Sequence, residues 1–503
     1  MAPDHGGSGR ISRVIAAVGA LVAIGVVAST LGRPPDFDEA NFLVLARGAA
    51  TDPWRPHDVE INWQGTTERA FAVLSNPPGI AWWLAPTLGW PQWAQRAWML
   101  PWSCFAAWGA WRLGRRFVGD GLGGAGLLLG APIALLSTSA LLPDAPLYAL
   151  SLAGLAGWVE QTERGGRAWP WALVLGCAAL FRYSAVALWP LLPLWAFLMR
   201  RPLWPAAAAA LPLGLLGAHD VHAYGAVHLV AMGNFQAVSN TPLDWGHKAV
   251  AALCFLGGAA VLPAYRWRTP HLGAALVGAA AAAPWGVVAA GFGALGGAAF
   301  APALLGAGAR DDDRPARVFL GAWLLLGAAF LLTLRFTAAR YWLPFFPAAA
   351  LALPAAGRVL RIGLSLGLGL ALVLEDAHHA RADAALAHEV AALGTGRFTG
   401  HWGWQAVLEA AGWTPLDEGE APPPGTLVAV PTEAWPQAAD LACDAVVYEG
   451  VAPAGAAWWP RAYAPDALAN LHANWLAGPP PARTVIPWWF GTAPYERARV
   501  CRE

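Results

Sequence analysis

Lysine is all but missing from this chain: Lys248 is the single lysine among 32 basic residues, the others being arginine. Charge of either sign is also scarce. Only 13% of the 503 residues are Asp, Glu, Lys or Arg, about half the share in an ordinary soluble domain. Acids and bases balance at 32 each, so no basic surface points to a nucleic-acid partner. Cysteine is limited to five residues. Cys104, Cys177 and Cys254 fall in apolar runs and read as packing residues. Cys443 and Cys501 lie in the polar tail, where an oxidising compartment permits a bridge, but sequence leaves their separation open. The histidines at 219, 222 and 228, and at 378, 379 and 388, fit no strong ligand spacing, so no metal or other cofactor is expected. Internal repeats and disordered runs are lacking too.

Apolar residues fill the chain instead, at 57%, with 30 tryptophans, a side chain that favours membrane interfaces. This composition excludes an ordinary soluble domain and predicts a mainly α, polytopic integral membrane protein. Thirteen apolar segments read as transmembrane helices, from 14–32 through 93–113, 168–181, 184–199 and 341–357 to 362–376. Several are short and need tilt or extension by their flanks. The first reads as an uncleaved helix, with a cleaved signal peptide as the alternative. With the N-terminus inside, the inner breaks hold 16 of the 32 basic residues, nine lie in outer breaks and seven in the tail. That threading predicts a cytoplasmic N-terminus and an outer tail in a plasma membrane, the bacterial inner membrane on compositional grounds.

Two units follow from this: a transmembrane unit over 1–376 and a small extracytoplasmic α/β domain over 377–503. Within the first, 33–92 is a long outer loop whose "IAWWLAPTLGW" reads as an interfacial helix. In the tail, "GTLVAV" and "DAVVYEG" read as strands and "WQAVLEAAGW" as a short amphipathic helix.

The chemistry-bearing residues lie on the outer side. "FDEANF" places adjacent carboxylates, Asp38 and Glu39, after the first apolar run; a solvated helix cap is the plain alternative. "SNPPGIAWW" stiffens the chain after Asn76. Asp144 sits at an outer turn, as an ordinary turn residue or a site acid. Arg182 in "FRYSA" interrupts an apolar stretch, which implies a partner, a cavity or a hairpin tip. Arg340 and Tyr341 follow in "LRFTAARYWLPFFP". Guanidinium forks match phosphate oxygens, and a carboxylate can take the proton of an attacking hydroxyl or amine. A lipid-linked phosphosugar uses both.

In this order, "FDEANF", "NPPGIAWWLAPTLG", "PDAPLYALSLAG", "FRYSA" and "RYWLPFFP" resemble the GT-C glycosyltransferases. The likeness is to the branch (glycosyltransferase family 39) containing protein O-mannosyltransferases and the lipid A aminoarabinose transferase. The resemblance covers roughly 14–376 and implies inverting transfer from a polyprenyl-phosphate sugar to a protein, lipid A, another glycan or a lipid outside the cytoplasm. It implies Asp38 as base, Glu39 as its partner, and Asp144 as the acid of the second outer loop. Donor phosphate falls to Arg182, Arg340, Tyr341, Lys248 and Asn76. Asn76 departs from the pattern, since the family commonly has Lys or His before the proline pair. Membrane lipids complete the expected partners. A transporter or lipid flippase is the alternative class, although paired broken helices in two matching halves are not evident.

Overall fold

The structure is a computed structural model. It describes residues 24–503 except 26–27, 29, 64, 238–241, 264–268, 307–312, 435–440, 442, 444 and 477–481. The first predicted span, 14–32, therefore lies largely outside the described residues.

The number of spans is corrected. Among the described residues, two helices are long and apolar enough to cross a membrane, Val287–Leu304 and Arg314–Thr333. A third exists only if Gly121–Leu129 and Pro132–Ser139, bent by 68° at their break, count as one. Two or three such helices stand where about thirteen were predicted. Proline is the main physical reason: the chain has 42, and each one inside an apolar run removes a backbone donor and clashes with the preceding turn. The run at 168–181 yields a ten-residue helix, Trp169–Ala178. The run at 184–199 breaks at Pro190 into a 3-10 stretch, Tyr183–Leu188, and an eight-residue helix, Leu191–Leu198. The run at 341–357, with Pro344, Pro347 and Pro354, keeps only Phe346–Ala352. The run at 362–376 belongs to a 34-residue helix whose second half carries Glu375, Asp376, His379 and Asp383.

The elements that position the site are α1 (Glu39–Thr51), α2 (Leu100–Leu113), α3 (Asp144–Arg164), α4 (Pro242–Phe255), α5 (Thr269–Ala282), α6 (Val287–Leu304), α7 (Arg314–Thr333), α8 (Arg358–Ala391) and α9 (Trp402–Ala410). Small residues let the helices approach closely. A Cβ on Gly109 of α2 would meet the Ala153 nitrogen of α3 at 2.6 Å. Gly278 of α5 and Gly293 of α6 face each other backbone to backbone in the same way. Tryptophan as a residue type favours interfaces, yet several here are core residues. Trp158, Trp323 and Trp342 are fully buried, and each indole N–H donates to a carbonyl, of Leu192, Pro344 and Ala252 respectively.

In the loop after α1, β1 (Glu60–Asn62) and β2 (Thr67–Arg69) pair antiparallel. In the tail, β3 (Arg397–Phe398), β4 (Thr414–Pro415), β5 (Leu427–Pro431), β6 (Ala445–Ala452) and β7 (Glu496–Arg502) form one sheet in the order β4-β3-β5-β7-β6. β3 runs parallel to β4 and β5, while β7 is antiparallel to β5 and β6. Leu386 and Val390 of α8 join Trp404 and Leu408 of α9 over this sheet, so α8 belongs to both units. Cys443 and Cys501 form a disulfide with their Cα atoms 5.1 Å apart. Between β6 and β7 the chain returns to the helical body. There Trp459 donates to the Ala371 carbonyl, Trp488 to that of Gly258, and His247 of α4 to that of Thr484.

Candidate active site at the junction of body and tail

Asp38 is the N-cap residue of α1, but its side chain accepts no hydrogen bond from the helix amides. Its Oδ2 instead accepts from the guanidinium of Arg340 at 2.5 Å. Arg340 comes from the short turn Ala339–Trp342, which follows extended backbone at Ala338. Burial would raise the Asp38 pKa; Arg340 first, then Arg182, outweigh it and hold the carboxyl below its usual range. Burial alone would lower the Arg340 pKa, and Asp38 raises it on balance.

A second ion pair lies alongside. Arg182 donates to Asp144 Oδ1 at 2.7 Å and, through Nε, to the Asn76 side-chain oxygen at 3.3 Å. The Tyr341 ring serves both cations, with its centroid 5.2 Å from the Arg182 guanidinium carbon and 5.7 Å from that of Arg340. The loop bearing Asn76 is fastened beside Arg182 because Gly79 N–H donates to the Leu180 carbonyl at 2.8 Å. Only glycine allows that approach, since a Cβ there would meet the Leu180 carbonyl carbon at 2.9 Å. Asp144 is fully buried, with Oδ2 lacking a protein partner. Six of the predicted residues, Asp38, Asn76, Asp144, Arg182, Arg340 and Tyr341, therefore converge from five separate stretches of chain.

Two do not join them. Glu39 turns away from Asp38 and is buried between Arg33 and Arg96. It also accepts from the Leu141 and Asp36 amides at 2.8 and 3.1 Å. Burial would raise its pKa, but Arg33 and Arg96 bring it down to about 2. Glu39 is thus a structural anchor and is not placed to orient an acceptor. Lys248 of α4 donates to the Leu332 and Leu334 carbonyls at 2.8 and 2.6 Å, at the end of α7, and so serves as a helix cap.

Sequence reasoning missed the groups that hold these in place. Arg96, inside a predicted span, donates to both Glu39 oxygens at 2.8 Å. Its position in an apolar run was the available signal. Phe37, next to Asp38, has φ of 42°, a conformation rare for a non-glycine residue. Its ring stacks on His472 of the tail at 4.0 Å and meets Trp402 at 4.9 Å. His472 is driven down to a pKa of about 3, first by burial and then by Arg340, so its ring is neutral. The tail also fixes the turn bearing Arg340. Leu471 O accepts from Ala339 N, and the Asn474 side-chain oxygen accepts from Thr337 N, each at 2.9 Å. Asn474 further donates to His247 at 2.9 Å.

An apolar cavity of about 500 Å³ is lined by Trp54, Trp82, Cys177, Leu180, Leu215 and His219, among others, and Leu180 precedes Arg182 by two residues. Among the described residues, no group of three or more His, Cys, Asp or Glu is arranged to hold a metal ion. Chemically, the cluster offers a largely buried carboxylate, Asp38 at 21% exposure, and two guanidiniums that an incoming phosphate could share. No family model, curated protein or solved structure matches this chain.

Proposed function

We propose that the chain is a membrane glycosyltransferase that moves a sugar from a polyprenyl-phosphate donor to an acceptor outside the cytoplasm. The observation that carries this reading is the paired cluster Asp38–Arg340 and Asp144–Arg182, bridged by the Tyr341 ring. Both guanidiniums are occupied by carboxylates, and a donor phosphate offers them stronger bidentate partners. As the phosphate draws on Arg340, Asp38 loses the charge that depresses its pKa and becomes a better base. Asp38 then takes the proton of the acceptor. The acceptor atom bonds to the anomeric carbon opposite the phosphate, the carbon–oxygen bond to phosphate breaks, and polyprenyl phosphate leaves with that electron pair. The sugar is inverted. Positioning and charge neutralisation provide the rate enhancement. The apolar cavity between Trp82 and Leu215 suits an isoprenoid chain whose phosphate lies at Arg182. The Cys443–Cys501 bridge fits a tail on the oxidising side of the membrane.

The test uses purified protein in lipid with a panel of radiolabelled polyprenyl-phosphate sugars, following release of polyprenyl phosphate. Asp38→Asn is expected to lower turnover by about 10²-fold or more, the usual contribution of a general base, while donor binding persists. Arg182→Ala with Arg340→Ala is expected to abolish donor binding. Wild-type turnover in the first variant, or unchanged donor affinity in the second, would refute the assignment.

A further inference from the structure

α3, of 21 residues, begins at Asp144 in the proposed site and ends at Arg164. At 1.5 Å per residue its far end lies about 30 Å away. At that far end is a second cavity, of about 380 Å³, lined by Trp158, Thr162, Arg167, Trp169, Arg201 and Trp204 among others. Its volume falls within the roughly 300–1,000 Å³ typical of small-molecule sites.

The chemistry of the lining is anion-binding. Arg201 donates to the Glu163 carbonyl at 3.3 Å, which holds its guanidinium over the turn that closes α3. No carboxylate among the described residues pairs with Arg167, Arg200 or Arg201. The nearby acids are already engaged, Glu160 with Arg112 and Arg164, and Glu163 with Arg116. Thr162 is buried, and its hydroxyl lacks a protein partner. The neighbouring surface is apolar and outward-facing. Trp204 is 74% exposed and Phe197, on the helix leading in, is 69% exposed. A soluble anion uses only the arginines, whereas an amphiphile uses both surfaces.

The geometry points to a binding site for an anionic phospholipid on the face opposite the catalytic cluster. The phosphodiester sits between Arg167 and Arg201, and the acyl chains lie over Trp204 and Phe197. The site is independent of the transferase reading, because binding there is measured without turnover.

The full chain, stripped of lipid in detergent, is titrated with short-chain phosphatidylglycerol and, separately, with inorganic phosphate. Native mass spectrometry and thermal unfolding are the readouts. Wild type is expected to retain the lipid and bind it at least about tenfold more tightly than Arg167→Gln/Arg201→Gln, the equivalent of one charge-assisted hydrogen bond. Arg167→Gln alone keeps the test open if the double variant does not fold, because that residue is exposed and its guanidinium makes no hydrogen bond or ion pair among the described residues. Arg55→Gln, which removes an exposed cation on the loop after α1, should bind as wild type does. Equal binding by wild type and Arg167→Gln, or an equal loss in Arg55→Gln, overturns the site. Protection by inorganic phosphate as strong as that by phosphatidylglycerol makes the ligand a soluble anion and overturns the lipid assignment.

Discussion

Asp38 stands where a helix normally takes a cap, yet its carboxylate is turned to Arg340 instead. Glu39, one residue on, goes the other way. Successive helical residues differ by about 100° around the axis, and here that step sends Asp38 to Arg340 and Glu39 to Arg33 and Arg96. This is why pairing them from sequence failed, while Asp38 itself was legible as an acid beside an apolar run. The distinction makes different predictions for the two residues. Glu39→Gln leaves Arg96 buried beside a neutral group, with Arg33 held by Asp376 alone, and breaking such a buried pair costs about 3–5 kcal/mol. Thermal denaturation is expected to show a large loss of stability for Glu39→Gln and a small one for Asp38→Asn. Equal stability losses would mean that Glu39 has no anchoring role.

At the scale of elements, charged and polar side chains within apolar runs were readable, and the backbone breaks were not. Arg182 was legible because an ion within an apolar stretch requires a partner, and Asp144, read as an outer-turn residue or a site acid, proves to be that partner. Hydropathy was read without the 42 prolines, so stretches such as 184–199 and 341–357 passed as whole helices. α8 shows the same effect in reverse: one helix runs from an apolar start into a charged end that carries the junction with the tail. There His379 lies 3.1 Å from Asp383, with Asp36 and Glu375 also near. Burial would lower its pKa, but those three carboxylates raise it to about 9. A raised folded-state value means that the protonated ring contributes stability fully below its unfolded pKa near 6.5. That contribution is lost as pH rises through about 9. The melting temperature is therefore expected to fall between pH 6.5 and 9, and His379→Gln should flatten that limb. An unchanged slope in the variant would remove His379 as its cause.

On the scale of the whole molecule, the tail is part of the site. The strand and helix segments of the tail were visible in its sequence, but its reach back to Phe37 and Thr337 was not. Nothing local marks His472 or Asn474, which act through residues more than a hundred positions away. Asn474→Ala removes the side-chain bonds to the Thr337 amide and His247 together, so the turn bearing Arg340 keeps only its Ala339–Leu471 backbone bond to the tail. Turnover is expected to fall about tenfold, one lost hydrogen bond to a charge-bearing turn, with the acceptor KM little changed. The disulfide makes a stronger test of the same coupling. It closes a stretch of 58 residues, and the chain-entropy account assigns such a loop about 4 kcal/mol. Reduction should therefore loosen the sheet around β7 well before the helical body melts. If the tail only decorates the enzyme, donor turnover persists between those two transitions. If His472 and Asn474 hold Asp38 and Arg340 in register, turnover disappears with the first transition, while donor still binds to Arg182. Following turnover and near-ultraviolet dichroism of the reduced protein through one temperature ramp separates the two, and survival of turnover past the first transition would exclude the tail from the site.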